Sequence, residues 1–94
     1  MAIPRITWDE EKEAHNRRAH GVDFHEAVEA LLDPLARSVE DAAHSIGEQR
    51  WATVGMSRRG RLLRVTTAEA ATTIRIISAR PATAGERRAY EEEP

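Results

Sequence analysis

The spacing of apolar residues changes twice along the chain, and each change marks a new kind of element. After a short extended entry, RITW, residues 9–20 read DEEKEAHNRRAH, with only Ala14 and Ala19 as apolar positions. This predicts a surface helix from Asp9 to His20, pinned by Trp8 and its alanine side. Asp9 is a suitable N-cap, and Gly21 stops the helix as a C-terminal glycine does. In the next segment Phe24, Ala27, Val28, Leu31 and Leu32 fall at i, i+3, i+4, i+7 and i+8. That stripe predicts a second helix with its apolar face in the core, opened by Asp23 and Glu26 in a capping-box relation and closed by Asp33-Pro34.

From Leu35 the period shortens to two. LARSVED reads as a short strand and DAAHSIGE as a connecting loop into QRWATVGMS. Ser57, Arg58, Arg59 and Gly60 make a hairpin turn into RLLRVTT, and AEAA makes another into TTIRIISAR. Segments rich in β-branched residues between short turns predict an antiparallel meander of three or four strands. Thr83 and Glu86 then stand in a T-x-x-E relation that opens a last helix carrying Arg87, Arg88 and Tyr90, before the acidic end EEEP. The expected architecture is α+β: two N-terminal helices, the sheet and a C-terminal helix, in a single domain over residues 1–94.

Strand alternation says where the arginines point. Leu63 and Val65 share one face of their strand and Arg64 the other, while Ile74 and Ile76 oppose Arg75. If the Leu63 and Ile74 faces meet the helices, Arg64 and Arg75 emerge together on the far side. With Arg50 or Trp51 from the preceding strand and Arg80 at a strand end, this makes a shallow, positively charged surface. A solvated sheet face also carries arginines as a matter of course, and Trp51 and Tyr90 suit core or helix packing. Spacing alone leaves both readings open.

Composition narrows the chemistry. Ninety-four residues without a cysteine exclude a disulfide framework, a thiolate zinc site and a cysteine nucleophile. No run approaches the roughly 18 apolar residues of a membrane span, and the N-terminus lacks the apolar core of a signal peptide, so a cytoplasmic protein without membrane contact is expected. The net charge of -2 argues against coating nucleic acid with the whole surface. Of the 14 basic residues only Lys12 is lysine, and guanidinium suits bidentate phosphate binding. The histidines form no metal site: His15, His20 and His25 are each five apart, on diverging helical faces or across a helix break.

Four stretches carry a resemblance: ITWDEEKEAHNRRAHGVDFHEA, DPLA, HSIGEQRWATVGMSRRGRLLRV and IRIISARPATAGERRAYEE. In this order and spacing they resemble the BrnT family of toxins from bacterial type II toxin-antitoxin systems, over about residues 6–92. The resemblance implies a RelE-like α+β fold and a metal-independent endoribonuclease, with no cofactor, that halts translation. It also implies a hetero-oligomer with a BrnA-like antitoxin, whose ribbon-helix-helix part would contact operator DNA on behalf of the complex. The family pattern falls here on His44, Glu48, Arg50, Arg75, Ser78, Arg80, Glu86, Arg87 and Tyr90. One position departs from it: Ala19 stands before His20 where a lysine is common, which weakens RNA binding if that lysine meets phosphate in relatives.

Cleaving RNA without a metal requires a base for the 2′-hydroxyl proton, an acid for the leaving 5′-oxygen and positive charge on the transition state. The candidates are His44 or Glu48 as base, Tyr90 as acid or stacking residue, and Arg50, Arg64, Arg75 and Arg80 as the phosphate clamp. The alternative is a weak or inactive toxin fold retained as antitoxin partner and co-repressor.

Overall fold

The computed structural model describes residues 4–92, so the last two positions of the acidic end, Glu93 and Pro94, lie outside the described residues. In chain order the elements are β1 (Arg5–Thr7), α1 (Glu10–His20), α2 (Phe24–Leu31), β2 (Arg37–Glu40), a 3₁₀ turn (Ala42–His44), β3 (Gln49–Met56), β4 (Leu62–Glu69), β5 (Thr73–Pro81) and α3 (Ala84–Glu92). The α+β class follows the apolar pattern. The sheet differs from the expected antiparallel meander of three or four strands: among the described residues it has five strands in the order β1-β5-β4-β3-β2. The entry segment lies parallel to β5, with Ile6 opposite Ile74, while β2 forms the other edge against β3. The β1–β5 pairing joins segments almost seventy residues apart, and no local turn signal encodes such a contact.

The helices cover both faces. α2 packs over β3 and β4 so closely that a Cβ at Gly55 would overlap the Ala30 carbonyl oxygen. The core lies beneath it: Val22, Phe24, Ala27, Ala30, Leu63, Val65, Ile76 and Ala79 are all essentially excluded from water. Trp8 closes one side, edge-on to Phe24 at 6.0 Å between ring centroids. α3 lies across the opposite face, beside Ala52, Val54 and Arg64.

Three details of the sequence reading change. Leu32, the C-cap of α2, is 67% exposed, so the buried stripe ends before it. α1 is held by polar residues, Glu13 and Asn16, whereas Ala19 is exposed. The Asn16 amide donates to the Ala79 carbonyl at 2.8 Å and accepts from the Ala79 NH at 3.1 Å, with a further bond to the Val22 carbonyl at 2.9 Å. It thereby satisfies the edge of β5 beyond the point where β1 stops. Finally, Asp23 caps α2, but the Glu26 side chain does not return to it. Glu26 is buried and binds Arg61 and Ser57 instead, and the Arg61 hydrogen bond leads the forces that hold its carboxyl below the ordinary range against the cost of burial.

Candidate RNA-binding face

The bulge between β4 and β5 organises this face. Thr66 pairs with Ser78 and Thr67 with Ile76, leaving Ile77 as an extra residue. Arg75 and Arg80 are five positions apart, so strict alternation would send them to opposite faces. The additional residue restores the phase and brings Arg80 opposite Arg64, on the side away from α2. Arg75 pairs with Ala68, which in turn pairs with Arg50 on β3. All four candidate arginines therefore occupy one face of the sheet, in two rows.

Each row is built around a carboxylate. Arg75 Nη2 donates to both Glu48 oxygens, at 2.9 and 3.1 Å, and Arg50 Nη2 donates to Oε1 at 3.2 Å. These bonds, Arg75 first and Arg50 second, hold the Glu48 carboxyl below the ordinary range. In the other row Arg80 grips Glu86 with two parallel bonds of 2.8 and 2.9 Å, and Arg64 Nε lies 3.4 Å from the same carboxylate. Arg80 is the main cause of a Glu86 pKa lowered to about 2. Two guanidiniums directly opposite on neighbouring strands repel, and Glu86 removes that repulsion. The expected positively charged surface thus consists of two arginine pairs, each held by one glutamate.

The loop before β3 fixes Glu48. Ser45 Oγ donates to the Asp41 carbonyl at 2.7 Å and accepts from the Arg50 NH at 2.9 Å, closing a turn that needs Gly47 at φ 78°. His44 stands in that loop with an exposed ring, its Nδ1 2.9 Å from Asp41 Oδ2. It is not gathered into either arginine row. Tyr90 lies on α3 and donates to Asp33 Oδ2 at 2.6 Å, a bond that leads the causes pushing its pKa up to about 12. At Asp33 burial acts to raise the pKa, and bonds from Tyr90 and from the NH groups of Leu35 and Met56 outweigh it, leaving the carboxyl below its ordinary value.

Glu86 and Asp33 are the members of this arrangement that role assignment from the sequence passed over. The T-x-x-E pattern does explain one duty of Glu86: it accepts from the Thr83 NH at 2.9 Å while its own NH donates to Thr83 Oγ1 at 3.1 Å. Its second duty, toward β4 and β5, carries no local signal. Among the described residues no cluster of three or more histidine and carboxylate side chains is placed to hold a metal ion, and no described helix is long and apolar enough to cross a membrane.

Comparison with known proteins gives the arrangement a family. The crystal structure of the Brucella abortus ribonuclease toxin BrnT has the same fold, at a TM-score of 0.67 and 24% identity, covering 86% of this chain and 99% of that one. No curated protein matches the chain. The family model described as "Ribonuclease toxin, BrnT, of type II toxin-antitoxin system" matches residues 8–86, which include both arginine rows and their glutamates. The chain therefore belongs to the BrnT family of ribonuclease toxins of type II toxin-antitoxin systems.

Proposed function

We propose that this chain is a metal-independent endoribonuclease that acts in the cytoplasm, halts translation by cutting RNA and is silenced by a BrnA-like ribbon-helix-helix antitoxin. The observation that carries this reading is the placement of Glu48 between Arg50 and Arg75 on an accessible sheet face. An RNA phosphate entering there offers the guanidiniums a new anion. As they turn to it, Glu48 loses the hydrogen bonds that hold its pKa down, so its basicity rises beside the 2′-hydroxyl it must deprotonate. Arg50 and Arg75 then bear the charge of the transition state, and Arg64 and Arg80 hold RNA further along the face. His44 remains the competing base. Tyr90, whose proton is engaged by Asp33, serves to hold α3 in place, and the leaving 5′-oxygen takes its proton from water at the open face. Operator DNA is reached through the antitoxin, within a hetero-oligomer.

A second reading rests on the ion pairs themselves. Since Glu48 and Glu86 already neutralise part of the arginine charge, the chain is alternatively a weak or inactive partner of its antitoxin, a co-repressor without RNA cleavage. Induced expression separates the two. A ribonuclease arrests growth and fragments cellular RNA, and an Arg75→Ala, Arg80→Ala double variant of equal solubility does neither. Normal growth with intact RNA from the folded wild-type chain supports the co-repressor.

A further inference from the structure

We infer that Arg64 and Arg80 form a second phosphate subsite, separate from the Glu48 site, and that Glu86 is its built-in competitor, occupying it until an RNA phosphate takes its place. This rests on the reading above, that the face binds RNA, and names which part of the ligand each half takes.

Three observations carry it. Glu86 engages Arg80 with the two-pronged geometry by which a guanidinium also holds a phosphate, and Arg64 Nε lies 3.4 Å from one of the same oxygens, Oε2. The site is therefore shaped for a tetrahedral or planar anion and is filled by one from within the chain. Next, the rows are well separated. Arg64 and Ala68 are four residues apart on β4, about 13 Å at the rise of a strand, so one phosphate cannot serve both rows. A ligand with several linked phosphates can. Lastly, the competitor lies on an element with no fully buried residue: α3 is held by the Tyr90–Asp33 bond and by Glu86, which completes the Thr83 capping box and makes the ion pairs to the sheet.

When a phosphate displaces the carboxylate, the Thr83 cap remains available to Glu86 while α3 loses its electrostatic hold on β4 and β5. RNA affinity and α3 docking are then opposed, and each is altered by the other to the same degree. The resident carboxylate also sets a threshold: a lone phosphate gains little by displacing it, whereas a phosphate already tethered through the Glu48 row does so at high effective concentration. The subsite thus favours oligonucleotides over mononucleotides.

The test uses Glu86→Gln, which deletes the charge while glutamine still satisfies the capping box, with Thr83→Ala as a variant that weakens the cap and keeps the charge. The probe is a fluorescent single-stranded RNA carrying 2′-O-methyl groups, which binds without being cut, titrated at several salt concentrations. Glu86→Gln is expected to bind about tenfold more tightly, with a salt slope steeper by about 0.7 for each phosphate gained. Adding Arg80→Gln should abolish the gain, and Thr83→Ala should not produce it. Equal or weaker binding by folded Glu86→Gln, alongside clear binding by the wild type, overturns the competitor while leaving the RNA-binding reading intact. No binding by any variant overturns both.

Discussion

The Tyr90 hydroxyl and the Asp33 carboxylate are joined by a 2.6 Å hydrogen bond that ties α3 to the segment leaving α2, fifty-seven residues earlier in the chain. The same Asp33 oxygen accepts from the Met56 NH at 2.8 Å, so one carboxylate gathers α2, β3 and α3. A phenol with its proton committed in this way, and its pKa near 12, is a poor proton donor at neutral pH and a good tether. Tyr90→Phe should therefore lower stability by about 1 kcal/mol in urea denaturation and leave RNA cleavage within a factor of about two. A loss of about 100-fold in kcat from a folded variant would restore Tyr90 as the acid.

The pH profile and the His44 variant together separate the two candidate bases. Glu48 is held below the ordinary carboxylate range in the free protein, chiefly by Arg75, so kcat/KM should stay level from neutral pH down through that range and fall only below it. A loss of about 100-fold in kcat/KM at neutral pH from folded His44→Ala, with Glu48→Gln little affected, would assign the base to His44.

Acid should destabilise the fold in a defined window. Glu86 has a folded pKa of about 2, below its ordinary 4.5, so its contribution is present above about 4.5 and is lost as pH falls toward about 2. Glu26, Asp33 and Glu48 are shifted in the same direction and add to the same slope. Thermal unfolding followed across this range should show a shallower decline for Glu86→Gln than for the wild type. An identical decline would mean that the Arg80 pair contributes nothing to stability.

The Asn16 bridge predicts a large effect from a position outside the arginine face. Asn16→Leu leaves the Ala79 NH and two carbonyls without partners in a buried setting, at a cost on the order of 3 kcal/mol in chemical denaturation. Because Ala79 immediately precedes Arg80, RNA binding should weaken even where the variant remains folded.

These bonds also mark the limit of what the residues reveal in advance. The helices, their caps and the three long strands were legible because each depends on neighbours within a few positions: Asp9 with Lys12, Asp23 with Glu26, Thr83 with Glu86, and the turn around Gly60. The common face of Arg64 and Arg75 followed from alternation. What was hidden is nonlocal. The bulge at Ile77 that rephases Arg80, the parallel seat of β1, and the Glu48 and Glu86 carboxylates that neutralise the arginines are all set by pairings between distant segments. Asn16 was hidden for another reason: a polar residue on a polar helix gives no sign that it will complete a strand edge.

The most direct measurement is cleavage of single-stranded RNA by the purified chain in excess EDTA, compared with Glu48→Gln. The wild type should cut without metal, and Glu48→Gln should lose about 100-fold or more in kcat while binding uncut RNA at least as tightly, because it frees Arg50 and Arg75. Undiminished cleavage by Glu48→Gln, or cleavage that EDTA abolishes, would contradict a metal-independent ribonuclease built on Glu48.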